Sequence, residues 1–307
     1  MSDRQHIQYL THSQIDKTKW DDRITKASNG LIYAYSFYLD HMARNWDALI
    51  LNDYEAVMPL TWNRKYGFHY LYQPFLAAQL GIFGNGLSED LVSRFIQAIP
   101  VRYKLIEISL NSGNTLTTSP GFSIQRSNYV LDLSRSYDEL YDSYKENIRR
   151  NIRKAKQIGC TVTKGFDAER VIELAIQQMR SYGEEAGDNI ERFRKLYRLL
   201  HARQMAATYG ILSPKNELIA SCVFFFSHNR AYYILVGNHP DGRTIGASHA
   251  LIDEFIKDHA GKKMLLDFEG SDIRNLAFFY SSFGAKHEVY PALKINRLPF
   301  YLKWLKK

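Results

Sequence analysis

The amino-acid sequence predicts an α/β protein built on a mixed β-sheet, with α+β character, and three observations support this fold class. Hydrophobic residues make up 45% of the 307 residues and aromatic residues 14%, enough apolar material for a packed interior. Segments with helical and strand periodicity alternate along the chain. Both halves also show the same order of three successive strands, a loop, a helix and another strand. We therefore predict two domains of one architecture, residues 1–134 and 135–307.

The first half is predicted to begin with a strand at residues 6–10, followed by helices near residues 15–27 and 37–44. Asn52 and Asp53 separate two β-rich runs and indicate a hairpin turn. Ser88 precedes apolar residues at helical spacing, so we expect it to cap the N-terminus of a helix. Three more strands are predicted in this half, over residues 68–75, 105–110 and 123–133.

The second half is predicted to open with a long helix over residues 137–158, which Gly159 ends at the usual position of a C-terminal glycine. A short strand at 160–164 and two helices follow. Next come three consecutive strands and then a helix over residues 245–260, introduced by a loop rich in Gly and Asp. The remaining elements of this half are predicted as a strand at 263–268, a helix at 273–283 and a strand at 288–295.

Composition excludes several classes of protein. No stretch reaches the roughly 18 uncharged apolar residues of a membrane-spanning helix, and the polar N-terminus has no signal-peptide core. Cys160 and Cys222, the only cysteines, form no Cys-x-x-Cys pair and no disulfide framework. Serine-hydrolase elbows, zinc-protease helices and P-loops are also absent from the sequence. We expect a bacterial, cytoplasmic protein that is a monomer or a dimer.

Positive charge is concentrated in the second half. Residues 1–134 contain equal numbers of basic and acidic side chains, so residues 135–307 carry the whole formal charge of +8. Such asymmetry points either to an anionic partner or to cationic helix faces that only aid solubility. The cations are densest over residues 145–156 of the predicted helix, where the only acid is Glu146. They are Lys145, Arg149, Arg150, Arg153, Lys154 and Lys156.

That basic helix has two interpretations. Ile148, Ile152 and Ala155 form an apolar stripe, so the cations could be the solvated face of an amphipathic helix. Alternatively, they contact phosphate groups, either those of coenzyme A or the backbone of a tRNA.

The most informative segment runs from Tyr233 to Leu251, where a strand leads through small residues into a helix. Free backbone N–H groups at a helix N-terminus favour an anion such as a pyrophosphate, and Arg243 could add a charge-assisted contact. The alternative is an ordinary turn from strand to helix that binds nothing.

Within this segment the chain resembles GNAT acyltransferases. Pro240, Arg243, Gly246, Ser248 and Leu251 follow the spacing of their pyrophosphate loop, Gln/Arg-x-x-Gly-x-Gly/Ala, with Ser248 in place of the usual Gly or Ala. The resemblance implies that acetyl-CoA or another acyl-CoA is the co-substrate and that no metal is required. The residues it assigns to the cofactor are Val236, Asn238, Arg243, Thr244, Gly246, Ala247 and Ser248.

A second match is the segment from Phe279 to Ala285, which resembles the Tyr-x-x-x-Gly-Phe segment that ends the GNAT core. In many GNAT enzymes that tyrosine, here Tyr280, protonates the departing CoA thiolate. Tyr280 could instead be a buried aromatic of the core. Asp267 and Glu269 alternate along a predicted strand, so we expect them to share one face of the sheet as a base or as an anchor for the amine. Alternatively, Asp267 only braces the following loop.

The basic helix narrows the resemblance to proteins of the FemABX kind, whose helix carries Arg-x-x-Ile-Arg-Lys-Ala-x-x-x-Gly. FemABX proteins consist of two GNAT-like domains, which agrees with the repeated order of elements. The motifs cover about residues 135–290, and the first half is similar by topology alone. The resemblance implies that Tyr72 and Gln73 contact an acceptor in a cleft between the domains, and that residues 297–307 return to the first domain.

Taken together, the sequence predicts an N-acyltransferase that moves an acyl group from acyl-CoA to the amine of a small molecule or peptide. One alternative is a peptidyltransferase that uses aminoacyl-tRNA on a cell-wall precursor. Another is a non-catalytic RNA-binding module on a degenerate GNAT scaffold. His249, Asp253 and His259 lie along one predicted helix but are too widely spaced to predict a zinc site.

Overall fold

A computed structural model describes residues 6–116, 123–181, 187–270 and 272–300. The chain forms two compact units, one reaching to Arg126 and resuming at Val289, the other spanning Ser127–Glu288. The predicted boundary lay after residue 134, and the sequence assigned residues 289–296 to the second domain. The structure returns that segment to the first unit, because residues 292–296 pair with a strand of that unit. Residues 301–307 of the predicted returning tail lie outside the described part.

The secondary structure alternates between strands and helices along both units. The strands are β1 (Ile7–Leu10), β2 (Asn45–Leu51), β3 (Ala56–Lys65), β4 (Phe68–Tyr72), β5 (Phe83–Gly84), β6 (Tyr103–Ser109), β7 (Ser123–Asp132), β8 (Thr161–Lys164), β9 (Ala206–Leu212), β10 (Leu218–Ser227), β11 (Arg230–Asn238), β12 (Leu265–Asp267) and β13 (Lys286–Asn296). The helices are α1 (Lys17–Lys26), α2 (Ser36–Met42), α3 (Glu89–Gln97), α4 (Tyr137–Asp142), α5 (Glu146–Ile158), α6 (Ala168–Ser181), α7 (Asn189–Ala202), α8 (Pro240–Ile245), α9 (Ala247–His259) and α10 (Arg274–Ser281).

In the first unit the strands follow the order β1-β2-β3-β4-β6-β13. β4 and β6 are parallel, and the other neighbours in this series are antiparallel. The predicted hairpin is confirmed, since Asn52 lies in the turn between β2 and β3. Ser88 is confirmed as the cap of α3, because its hydroxyl accepts from the N–H of Leu91 at 3.2 Å. Helix α3 buries Phe95 in the core of this unit.

In the second unit the strands follow the order β7-β12-β11-β10-β9-β8. β11 and β12 are parallel, and the other pairs are antiparallel. The predicted triplet of strands is confirmed as β9, β10 and β11. Helix α9 packs on β9 and β10, where Phe224 and Phe255 stack with ring centroids 3.7 Å apart. The mixed α/β fold class is therefore confirmed.

Two predicted helix boundaries are wrong. The helix expected over residues 137–158 is divided into α4 and α5, because the Lys145 N–H donates to the carbonyl of Ser282 at 2.9 Å between them. Gly159 does end α5, with a φ of +89°. Residues 240–244, expected as an open loop, belong to α8, and α9 begins at Ala247 instead of continuing from residue 245. Among the described helices, none combines the length and hydrophobicity that a membrane crossing requires.

Candidate functional site

The candidate site begins where two parallel strands stop pairing. β11 and β12 are in register over residues 230–232 of β11, and the last pair joins Tyr232 to Asp267. β12 ends there, whereas β11 continues to Asn238. Within the described ranges, the edge of β11 beyond Tyr232 that faces away from β10 has no strand partner. An extended molecule with amide groups can pair with such an edge.

Helix α8 follows β11 and replaces the predicted loop. Pro240 occupies its first turn, where a missing N–H costs nothing, and the His239 ring accepts from the N–H of Asp241 at 3.3 Å. The helix ends at Gly246, which has a φ of +80° and is also the N-cap of α9. Thr244 lies near the end of α8, and its carbonyl accepts from Lys154 Nζ at 2.7 Å.

Gly246 is required by the packing of two helices. A Cβ atom at this position would lie 2.6 Å from the carbonyl oxygen of Asn151 in α5. The positive φ adds strain for any other residue. Helix packing and the positive φ therefore explain why residue 246 is glycine without any ligand. A role for Gly246 at a pyrophosphate stays a prediction.

Ser248 and Asn238 are brought together from the first turn of α9 and the end of β11. The Ser248 hydroxyl donates to Asn238 Oδ1 at 2.5 Å, and the Asn238 N–H donates to Gln178 Oε1 at 2.6 Å. The carbonyl of Gly246 accepts from the N–H groups of residues 249 and 250, so those of Ala247 and Ser248 have no acceptor within the helix.

The other predicted cofactor residues surround this point. Val236 is half-buried on β11, and Ala247 is fully buried. The backbone of Arg243 lies in α8, and its side chain is outside the described part of the structure. Thr244 donates its own hydroxyl to the carbonyl of Asp241 at 2.8 Å.

Tyr280 is buried on α10, close to the end of β12. Its ring stacks on Phe268 with centroids 4.7 Å apart. Burial, and to a lesser extent the charge of Glu269, raises the pKa of the Tyr280 phenol above its ordinary value. The hydroxyl therefore keeps its proton at neutral pH and is available as a donor.

Asp267 and Glu269 do not share a face of one strand, contrary to the sequence prediction. β12 ends at Asp267, and Glu269 has a φ of +62°. The buried Asp267 carboxylate accepts from Arg230 Nη1 at 2.5 Å and from the N–H of Glu269 at 2.8 Å. It thus joins an ion pair to the loop that carries Glu269. The catalytic roles of both acids stay predictions.

Tyr72 and Gln73 belong to the first unit, and both contact its main chain. The Tyr72 hydroxyl accepts from the N–H of Arg44 at 2.8 Å. The Gln73 side chain accepts from the N–H of Ser109 at 2.9 Å and donates to the carbonyl of Ala77 at 2.5 Å. These bonds hold the Gln73 amide in place, and the predicted contact of both residues with an acceptor stays a prediction.

His249 follows Ser248 in the first turn of α9. In the structure its ring meets Phe279 edge-on, with centroids 4.9 Å apart. Nδ1 is buried and has no hydrogen-bond partner in the described chain. Burial lowers the pKa of His249 to about 4, so the imidazole is neutral at pH 7. Its position directly after Ser248 is the sequence signal that could have placed His249 beside the candidate site.

Among the residues described, no cluster of three His, Cys, Asp or Glu side chains could hold a metal ion.

Comparison with known protein families identifies the domain around this site. Residues 142–272 match the family model of the acetyltransferase (GNAT) domain. None of the curated proteins matches the chain by sequence. Most of the second unit is therefore similar in sequence to the GNAT-type acetyltransferase domain.

Solved structures extend the similarity to both units. FemX shares 14% sequence identity, with a TM-score of 0.65 over 96% of this chain and 98% of its own. The C-terminal domain of a putative lysylphosphatidylglycerol synthetase from Agrobacterium fabrum shares 10%, with a TM-score of 0.53 over 92% of each chain. A GCN5-related N-acetyltransferase from Sphaerobacter thermophilus shares 13%, with a TM-score of 0.50 over 97% of this chain and 98% of its own. The predicted resemblance to GNAT proteins of the FemABX kind is confirmed, as is the tandem GNAT-like fold.

Proposed function

We propose that this protein is an N-acyltransferase that moves an acyl group, with acetyl as the first candidate, from coenzyme A to an amine. The observation that carries the proposal is the separation of β11 from β12. The open edge of β11 ends at the Asn238–Ser248 pair and the start of α9. This arrangement offers amide partners along an edge and N–H groups at its end.

Coenzyme A has the chemistry that these groups accept. The amides of its pantetheine arm can pair with the edge of β11 near Val236, as an added strand would. Its pyrophosphate can then accept from the N–H groups of Ala247 and Ser248, where the helix dipole favours negative charge. Arg243 and Thr244 lie in α8, just before Gly246, and are the proposed additional contacts.

The reaction needs a proton donor and a proton acceptor. The amine nitrogen attacks the thioester carbonyl, the C–N bond forms, and the C–S bond breaks with the electron pair leaving on sulfur. We assign Tyr280 as the acid that protonates the thiolate, since its phenol is protonated at neutral pH. Glu269 is the proposed acceptor of the amine proton or the anchor of the ammonium group. Asp267, through its hydrogen bond to the Glu269 N–H, holds that loop.

Aminoacyl-tRNA is the competing donor, and the contacts of α5 argue against it. Lys154 donates to the carbonyl of Thr244. Arg149 and Arg153 both pair with Glu146. Half of the six cations predicted to contact phosphate therefore already have partners within their own unit, which favours the amphipathic-helix interpretation.

Calorimetric titration with acetyl-CoA and free CoA tests the proposal. We expect saturable binding, and we expect Ser248→Leu to weaken it by about tenfold or more because the side chain would cover the start of α9. Ser93→Leu, on α3 of the first unit, is the matched control and should bind like the parent. Gly246 is unsuitable for this test, since any side chain there displaces α5.

Three other outcomes would overturn the proposal. Binding of charged tRNA without CoA binding would make aminoacyl-tRNA the donor. Salt-dependent RNA binding with no transfer to any amine would indicate a binding module. Equal affinity of the parent and Ser248→Leu for CoA would show that CoA does not bind at the start of α9.

A further inference from the structure

A cavity of about 460 Å³ lies in the second unit among α4, α5, α9 and the strands β8 and β9. Its volume is in the range of small-molecule sites. None of the residues assigned above to coenzyme A lines it. The apolar part of its wall consists of Tyr141, Ile152, Val162, Ile211 and Ala250.

The carboxylate of Asp253 lines this cavity and is almost completely buried. Asp253 is 8% exposed, and both of its oxygens accept from the Tyr137 hydroxyl, at 3.1 and 3.2 Å. In the described part of the chain no cation forms an ion pair with it. A buried carboxylate normally has such a partner, because removing its charge from water is costly. Lys257, one helical turn away, faces Asp253 without forming an ion pair with it, so the carboxylate has the capacity to bind a further cation.

Two lysines that line the cavity are cations without an ion-pair partner among the described residues. Lys156 of α5 and Lys257 of α9 are exposed, and neither forms an ion pair with any described residue. The other charged residues of the lining are paired, Arg153 with Glu146 and Glu254 with Lys164. The cavity thus combines a buried acid with two available cations.

We propose that this cavity binds a small molecule that carries a primary amine at one end and a phosphate or carboxylate at the other. The ammonium group pairs with Asp253, and the anionic group pairs with Lys156 and Lys257. The apolar wall contacts the carbon chain between them. This site is independent of the donor site and does not rest on the assignment of coenzyme A.

Cys160 offers a direct reporter of occupancy. It lines the cavity and is partly exposed, whereas Cys222, the other cysteine, is fully buried. Burial raises the pKa of the Cys160 thiol, so alkylation by iodoacetamide is followed at alkaline pH. The probes are ω-aminoalkyl phosphates and ω-amino acids of increasing chain length. Alkyl phosphates, fatty acids, alkylamines and inorganic phosphate are the single-charge comparisons.

We expect one of the doubly charged probes to slow labelling of Cys160 by about fivefold or more at saturation. Asp253→Asn should weaken that protection about tenfold, to the level of the alkyl phosphate or fatty acid of equal length. The double variant Lys156→Gln, Lys257→Gln should weaken protection by every anionic probe. Its matched control, Lys195→Gln with Lys263→Gln, removes two exposed lysines outside the cavity and should change nothing. Each variant is compared with itself, with and without the probe.

Two results would overturn the proposal. One is unchanged labelling with every probe up to about 10 mM, a range in which even millimolar affinity is visible. The other is protection that is the same in Asp253→Asn as in the parent, since the buried carboxylate would then have no part in binding. Protection by phosphate probes but not by carboxylate probes identifies the anionic group and supports the proposal.

Discussion

Asp47 of the first unit and Asp253 of the second are both buried carboxylates, but their surroundings differ. Asp47 accepts from Arg102 Nη2 at 2.8 Å, from the Tyr9 hydroxyl at 2.6 Å and from the N–H of His12 at 2.9 Å. Asp253 accepts from a phenol, and no described cation pairs with it. A compensated buried charge is part of the architecture, whereas an uncompensated one that lines a cavity indicates a ligand.

Asp267 resembles Asp47 rather than Asp253. Arg230 pairs with it, and the side chains of Arg230 and Asp267 are 13% and 2% exposed. The distinction matters for function, because the Asp267 carboxylate is engaged by Arg230 and by the N–H of Glu269. Of the two acids that the sequence proposed, Glu269 is therefore the better candidate for a base.

Replacing the arginine of the compensated pair should cause the largest change. Arg230→Met leaves Asp267 buried without its cation and should lower the free energy of unfolding by about 3–5 kcal/mol. Urea denaturation at pH 7 measures this. Arg198→Met, an exposed arginine on α7, is the control and should change it by less than about 0.5 kcal/mol. A small effect at Arg230 would mean that the pair is not compensated as described.

Asp253→Asn should do the opposite and stabilise the protein at alkaline pH. Burial raises the pKa of this carboxyl from 3.8 to about 6, with Tyr137, Tyr144, Glu254 and Lys257 also facing it. A raised pKa means that the parent loses stability as pH rises through about 6, by roughly 3 kcal/mol when ionisation is complete. Asn does not ionise, so the variant should gain that amount at pH 8 and almost nothing near pH 4.

Thermal unfolding across this pH range checks the prediction for Asp253. Asp142→Asn, an exposed acid at the end of α4, should show no comparable dependence on pH. A stability difference at Asp253 that stays constant from pH 4 to pH 8 would contradict the raised pKa.

Tyr137→Phe should have an intermediate effect. It removes the hydroxyl that donates to Asp253 and leaves the ring in place. Hydrogen bonds to charged groups contribute about 1.5–3 kcal/mol, so we expect a loss in that range at pH 8. In the Asp253→Asn background the loss should shrink to about 1 kcal/mol, because the acceptor is then neutral. A double-mutant cycle measures the coupling, and additive effects would contradict it.

Tyr280→Phe should have the smallest effect on stability and a large effect on turnover. The stacked ring on Phe268 is retained, so the free energy of unfolding should change by less than about 1 kcal/mol. If Tyr280 is the acid, kcat for release of thiol from acetyl-CoA should fall about 100-fold or more, with donor affinity unchanged. The assay uses whichever amine supports turnover in the parent. Equal kcat values for the parent and Tyr280→Phe would mean that Tyr280 has only a structural role in the core.

The positions of several candidate residues on their elements could be predicted because the signals are local. The GNAT resemblance of one short segment assigns Ser248 and Asn238 to the cofactor; the two form a hydrogen bond in the structure, and their role at a cofactor stays a prediction. Tyr280 was assigned from a motif on the following helix, and it is buried beside the end of β12. The contacts of Gly246 could not be predicted, because Asn151 lies far away in sequence and only helix packing brings the two together.

By itself, the sequence determined the fold class, most of the elements and the resemblance to GNAT acyltransferases. Hydrophobic periodicity, helix caps and turn residues involve positions that are close together along the chain, so the sequence alone reveals them. Only the tertiary structure decided that β12 ends at Asp267, that residues 292–296 of β13 pair within the first unit and that no described cation forms an ion pair with Asp253. These features depend on groups that are distant along the chain, and the free energy of a buried charge is set by the neighbours that folding brings to it.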